Sequence, residues 1–150
     1  MIRLRPARPG EEESLSALCL RSKAHWGYDA DFLAACRAEL TLCADDLAAP
    51  GLAVAERAGL VVGLVQIASA GEDADLAKLF VEPQAMGQGV GRVLFAWALE
   101  RAREAGARRL RVEADPDAAP FYERMGALRI GNAPSGSIPG RRLPLLAVTL

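Results

Sequence analysis

The stretch Leu79-Phe80-Val81-Glu82-Pro83-Gln84-Ala85-Met86-Gly87-Gln88-Gly89-Val90-Gly91-Arg92-Val93-Leu94 decides how this chain is read. It runs from an apolar strand through a proline stop into a glycine-rich turn and then a helix. Glycines at 87, 89 and 91 let the backbone approach a bulky anion. The helix behind them aims its unpaired N–H groups and positive dipole end at the same place. This makes a phosphate cradle, unless the turn does no more than start a helix. Two better-known cradles fail on spacing. A dinucleotide fingerprint needs a third glycine three residues beyond the second, where this chain has Arg92 or Leu94. A P-loop needs Lys and then Ser or Thr after its last glycine, where Arg92-Val93 stand.

Working outward, residues 74–81 read as the strand entering the turn, with Ala77, Leu79 and Val81 on one face and Leu76, Lys78 and Phe80 on the other. The helix leaving it carries Val90, Val93, Leu94, Trp97 and Ala98 on one stripe and stops at Gly106. Residues 108–114 alternate as another strand. Asp117 is expected to cap the next helix, with Pro120 in its first turn and Phe121, Tyr122 and Met125 following. A short strand at 128–131, a loop at 132–142 and a last strand at 143–150 finish the chain. On the other side, a strand at 2–5 precedes a helix that starts after Pro9 and ends near Lys23. An aromatic break leads to a second helix capped by Asp29, and 41–51 reads as helix or loop. Two central strands, 52–57 and 60–69, join through a tight hairpin at Ala58-Gly59.

With 150 residues the chain suits one domain, 1–150, around one core. A net charge of −1 supplies no field to draw in nucleic acid or an anionic membrane. Cys19, Cys36 and Cys43 lack metal-ligand spacing and read as buried reduced thiols, so no metal is expected. There is no apolar run of signal or membrane-span length, so the protein is expected to be cytoplasmic. Apolar strands near the C-terminus leave room for a homodimer.

The glycine turn resembles the acetyl-CoA-binding motif of the GNAT superfamily of N-acetyltransferases, Gln/Arg-x-x-Gly-x-Gly/Ala, with Met86, Gly89 and Gly91 in its key places. Downstream, Asp115-Pro116-Asp117-Ala118-Ala119-Pro120-Phe121-Tyr122-Glu123-Arg124-Met125-Gly126-Ala127 is similar to the family's helix with a Phe-Tyr-Glu-x-x-Gly signature. The resemblance implies an α/β (α+β) fold: a mixed sheet of about seven strands flanked by about four helices, ordered β-α-α-β-β-β-α-β-α-β-β. It implies that the fourth and fifth strands splay to admit coenzyme A. Leu79, Phe80 and Val81 would then pair with the pantetheine, Gly87, Gln88, Gly89, Val90, Gly91 and Arg92 would hold the pyrophosphate, and Asp115 would contact the cofactor. Met86 departs from the usual Arg or Gln, and Arg92 is its replacement.

The implied activity is direct transfer of an acetyl group from acetyl-CoA to an amine of a small molecule or peptide. Tyr122 matches the family tyrosine that protonates the departing thiolate; a core tyrosine is the alternative. Glu113, ending the fifth strand, is a candidate base or a solvated partner of Arg109 or Arg111. His25, beside Trp26 and Tyr28, is a proton relay or a packed ring. Lys78 is either directed at a substrate carboxylate or solvated. Residues 134–140 close over the acceptor or form a plain surface loop. A non-catalytic acyl-CoA-binding or regulatory module is the alternative function. A nucleic-acid reading built on Arg101, Arg103, Arg108, Arg109 and Arg111 ranks last, because Glu100, Glu104 and Glu113 balance them.

Overall fold

The computed structural model describes residues 1–150. Strands β1 (Ile2–Arg5), β2 (Leu52–Arg57), β3 (Leu60–Ala70), β4 (Asp73–Val81), β5 (Arg109–Glu113), β6 (Leu128–Pro134) and β7 (Arg142–Thr149) form one seven-stranded sheet ordered β1-β2-β3-β4-β5-β7-β6. Helices are α1 (Glu12–Ala24), α2 (Ala30–Leu40), α3 (Ala44–Ala48), α4 (Val90–Glu104) and α5 (Ala119–Arg124). Only β4 and β5 pair in parallel, because α4 crosses over between them; every other pair is antiparallel. The β2–β3 turn puts Ala58 at φ 53° and Gly59 at φ 78°, both left-handed as a two-residue hairpin requires.

Helices cover both faces. On one face Val90, Leu94, Phe95, Ala98 and Ala102 of α4 pack on Val65, Leu110, Val112 and Leu146 of the sheet. On the other, Leu15, Cys19, Cys36 and Leu40 pack on Val54 and Leu64. Each fully buried Leu or Phe contributes about 1.5–3 kcal/mol of apolar burial, so these two layers carry the fold. Phe95, absent from the expected α4 stripe, lies at its centre, while Val93 and Trp97 are only half-buried.

The structure corrects several expectations. The span 41–51, open between helix and loop, forms α3 and brings the α-helices to five within the expected architecture. There Asp46 Oδ2 accepts the Cys43 N–H at 2.9 Å, and Asp46 Oδ1 accepts Gln66 Nε2 at 3.0 Å. Cys43 is exposed, unlike Cys19 and Cys36. Asp117 does not cap α5; the cap position is Ala118, and the Asp117 N–H donates to Asp115 Oδ1 at 3.0 Å. The final hairpin reaches further than the short strand expected, since β6 runs to Pro134 and only 135–141 is loop.

Two features of β4 shape the site. Gln66 faces Lys78 and Ile67 faces Leu76, which leaves Ala77 as a bulge. The bulge turns Leu76 onto the α4 face with Leu79 and Val81, overturning its expected alternation with them, while Phe80 packs on the opposite face. Just before the bulge, pairing with β5 ends: the register holds Asp73↔Arg109, Ala74↔Leu110 and Asp75↔Arg111 and then stops. Beyond it β5 stays paired to β7 as far as Glu113↔Leu145, so β4 and β5 part as a fork. At the closed end Arg109 Nε lies 3.0 Å from Asp73 and Arg111 Nε 2.8 Å from Asp75. These arginines, considered above for a nucleic-acid surface, are held by neighbouring carboxylates.

Candidate active site

A cleft of about 580 Å³ opens where the fork parts. Its walls include Leu76 to Val81 of β4, Val112 and Glu113 of β5, and the turn residues Met86, Gly87, Gly89, Gly91 and Arg92. Along Leu76 to Val81 only β3 hydrogen-bonds to β4, so its other edge is unpaired as a strand-like ligand would need. The Val81 N–H has only a long 3.4 Å bond, to the Ser22 hydroxyl.

Glycines 87 and 89 have φ of 76° and 87°, and nothing lies within 4 Å of where a Cβ would stand on either. They set the left-handed turn and leave its concavity empty. Gly91 has another reason: a Cβ there would stand 3.3 Å from the Phe121 ring, so it is small to admit α5. The backbone N–H groups from Gly87 to Arg92 find no acceptor within the chain. A run of free donors at the start of a fifteen-residue helix fits a diphosphate. Of the residues assigned to the pyrophosphate, Gln88 bonds back to Gln84 O at 3.2 Å and the Val90 side chain is in the core, so these two would act through main chain. Met86 and Arg92 both line the cleft.

Tyr122 is buried against Phe95 and Phe121 yet lines the cleft, and its hydroxyl makes no hydrogen bond within the chain. Burial first, and the Asp115 charge second, hold its phenol well above the usual tyrosine range, so it remains an O–H donor at neutral pH. Glu113 is exposed and lines the cleft. His25 is not part of the cleft wall; its exposed ring meets the edge of Trp26, which is.

The Asp115 carboxylate, on the cleft wall, is engaged within the chain. Its Oδ2 accepts Tyr28 Oη at 2.5 Å and Lys23 Nζ at 2.9 Å, with Arg141 Nη2 at 3.7 Å, while Oδ1 takes the Asp117 N–H. Burial would raise its pKa, but the Tyr28 and Lys23 donors outweigh burial and hold the carboxyl below its usual range. Burial and the same carboxylate push the Tyr28 phenol up to about 12. Tyr28 stacks on Phe32 at 4.0 Å and accepts Arg141 Nη2 at 2.8 Å. This cluster was missed in the sequence, because its members come from α1, the following loop, the β5–α5 turn and the 135–141 loop. Ser137 of that loop donates to Glu39 of α2, fastening the loop beside the cleft, which Ser135, Ser137 and Arg141 help to line.

A splayed parallel strand pair and a bare amide cradle thus open into one cleft. The family model of the acetyltransferase (GNAT) domain matches residues 45–133, and the chain belongs to that superfamily. A GCN5-related N-acetyltransferase from Rhodopseudomonas palustris is 25% identical, with 99% of this chain and 95% of that one aligned at a TM-score of 0.78. YjaB from Escherichia coli, solved in its apo form, is 27% identical over 99% of this chain and 97% of its own, with a TM-score of 0.70. The PaiA N-acetyltransferase of Thermoplasma acidophilum, solved with coenzyme A, shares the fold at a TM-score of 0.80 over 100% and 99% of the two chains, with 14% identity. No curated protein matches this chain in sequence. No helix is long and apolar enough to cross a membrane.

Proposed function

We propose that residues 1–150 form one acetyl-CoA-dependent N-acetyltransferase domain that moves an acetyl group directly to an amine. The observation that carries this is the junction, in one cleft, of the free N–H run from Gly87 to Arg92 with the fork and the Tyr122 hydroxyl. When bound, acetyl-CoA supplies an activated thioester.

The chain supplies the rest. The N–H groups of Gly87 to Arg92, with the Arg92 guanidinium in place of a cation at Met86, hold the diphosphate. The unpaired edge of Leu79, Phe80 and Val81 orients the pantetheine amides by main-chain pairing, and the Val81 N–H, held only by a long bond to Ser22, donates to the acetyl oxygen. Tyr122 donates its proton to the departing sulfur. Glu113 accepts a proton from the incoming ammonium, since Asp115 is engaged and His25 lies off the cleft wall.

The test combines thermal unfolding with turnover. At a hundredfold excess over Kd, coenzyme A should stabilise the protein by about 2.7 kcal/mol. Free thiol should be released only when acetyl-CoA and an amine are both present. Stabilisation without thiol release over a broad amine panel points instead to a non-catalytic acyl-CoA-binding module. No stabilisation at millimolar coenzyme A removes both readings.

A further inference from the structure

The cluster around Asp115 leaves cationic donors unused. Lys23 and Arg141 face a single carboxylate, so the group carries one more positive than negative charge. Lys23 Nζ makes one hydrogen bond, to Asp115, and the Arg141 guanidinium makes one, to Tyr28. With three and five N–H donors respectively, both have several to offer. Lys78, another cation on the cleft wall, is bonded only to the Gln66 amide, at 3.3 Å.

The aromatic pair argues against a cationic group at this spot. Stacked Tyr28 and Phe32 would attract an organic cation, but the chain's own cations stand there already. Lys23 Nζ lies 5.2 and 5.8 Å from the two ring centroids, and Arg141 Cζ lies 5.3 and 4.9 Å from them. A second cation beside them is repelled. The carboxylates of the cleft wall are unequal in the complementary way: Asp115 is occupied and Glu39 holds Ser137, while Glu113 on β5 and Asp117 in the turn after it have no side-chain partner.

We infer that the acceptor is a small amine bearing an anionic group, a carboxylate or its phosphonate counterpart, held by Lys23 and Arg141 while its ammonium faces Glu113. This inference rests on the acetyltransferase reading and narrows it to zwitterionic amines. Tyr28 and Asp115 are positioning residues: one holds Arg141 and the other holds both cations against the ring stack. The 135–141 loop, pinned through Ser137 to Glu39, keeps Arg141 in the cleft.

The test sets free amino acids and aminoalkylphosphonates against the corresponding amino-acid amides, spermidine and an aminoglycoside, with thiol release as readout at fixed ionic strength. The free acids are expected to exceed their amides in kcat/KM by at least about tenfold. A preference for the phosphonate over the carboxylate would assign the anion to the phosphate class. Arg141→Gln should raise the KM of the acid and bring the acid-to-amide ratio towards about one, with Lys23→Gln acting in the same sense. Coenzyme A-dependent stabilisation of both variants checks that they fold. A second readout needs no turnover: N-acetylated amino acids should bind the coenzyme A complex more tightly than their amides. Acids and amides indistinguishable in both readouts, or a polyamine preferred, overturn this inference while the acetyltransferase reading stands on the coenzyme A response. Loss of that response in the unmodified protein overturns both.

Discussion

Along the glycine turn the polar groups left to the cleft are main-chain N–H groups from one short run, Gly87 to Arg92. Around Asp115 they are side chains brought together across 87, 92 and 113 residues of sequence. The first region is a property of backbone path, fixed by two left-handed glycines and a helix start, and it offers the same donors whatever the neighbouring side chains. The second depends on the identity of each residue. A cofactor common to a superfamily suits the first arrangement, and an acceptor particular to one protein suits the second.

The sharpest way to break that contrast is Gly89→Val. A β-branched residue at φ 87° is strained by about 1–3 kcal/mol, and its side chain enters space that is now empty. Coenzyme A affinity by titration calorimetry should fall about a hundredfold or more, beyond the strain alone, because the donors lose both path and clearance. Retained affinity would mean that side chains, not backbone, make this half. Tyr122→Phe comes next. It should lower kcat by about 10- to 100-fold with coenzyme A affinity unchanged, since only proton donation is removed. The high phenol pKa also means that no tyrosine ionisation should appear in the pH–rate profile through neutral pH. An unaltered kcat would return Tyr122 to the core.

How much of this was readable in the sequence follows the same division. The strand–turn–helix from Leu79 to Leu94 and the helix with Tyr122 were readable because glycine spacing and apolar periodicity are local. The Ala77 bulge was not, because nothing in Leu76-Ala77-Lys78 marks an extra residue; it exists only against the partner register of Gln66 and Ile67. Phe95 was missed for a related reason, since α4 presents two adjacent apolar rows and the sheet chooses between them. The surroundings of Asp115 were not readable from its neighbours in sequence, because Lys23, Tyr28 and Arg141 set them. The 135–141 loop signalled only that it was a loop.

Asp115→Asn tests whether charge holds the distal cluster. An amide keeps one acceptor oxygen where the carboxylate uses two, and it turns an N–H₂ towards donors, leaving Lys23 and Arg141 uncompensated. At pH 7 this should cost about 2 kcal/mol, a fall in Tm of roughly 4–8 °C for a chain this size. The folded-state pKa of Asp115 is lowered, so its stabilisation is complete above the unfolded value near pH 4 and is lost as pH falls through the folded value. Calorimetry should therefore find the gap between parent and variant shrinking below about pH 4. A gap that does not change with pH would assign the loss to packing.

The smallest effect is expected at the closed end of the fork, where Asp75→Asn removes the 2.8 Å pair with Arg111. Both side chains are substantially exposed, at 44% and 32%, so screening leaves the pair little weight. The strands there are joined by a backbone ladder at Asp73, Ala74 and Asp75, and β5 is held on its other edge by β7. The Tm should change by less than about 3 °C, and coenzyme A affinity should stay within about twofold. If backbone alone sets where β4 and β5 part, the fork ignores this loss. A large drop in coenzyme A affinity from Asp75→Asn would instead show that an ion pair sets the point of divergence, and the cofactor half would then rest on side-chain identity as much as the cluster around Asp115 does.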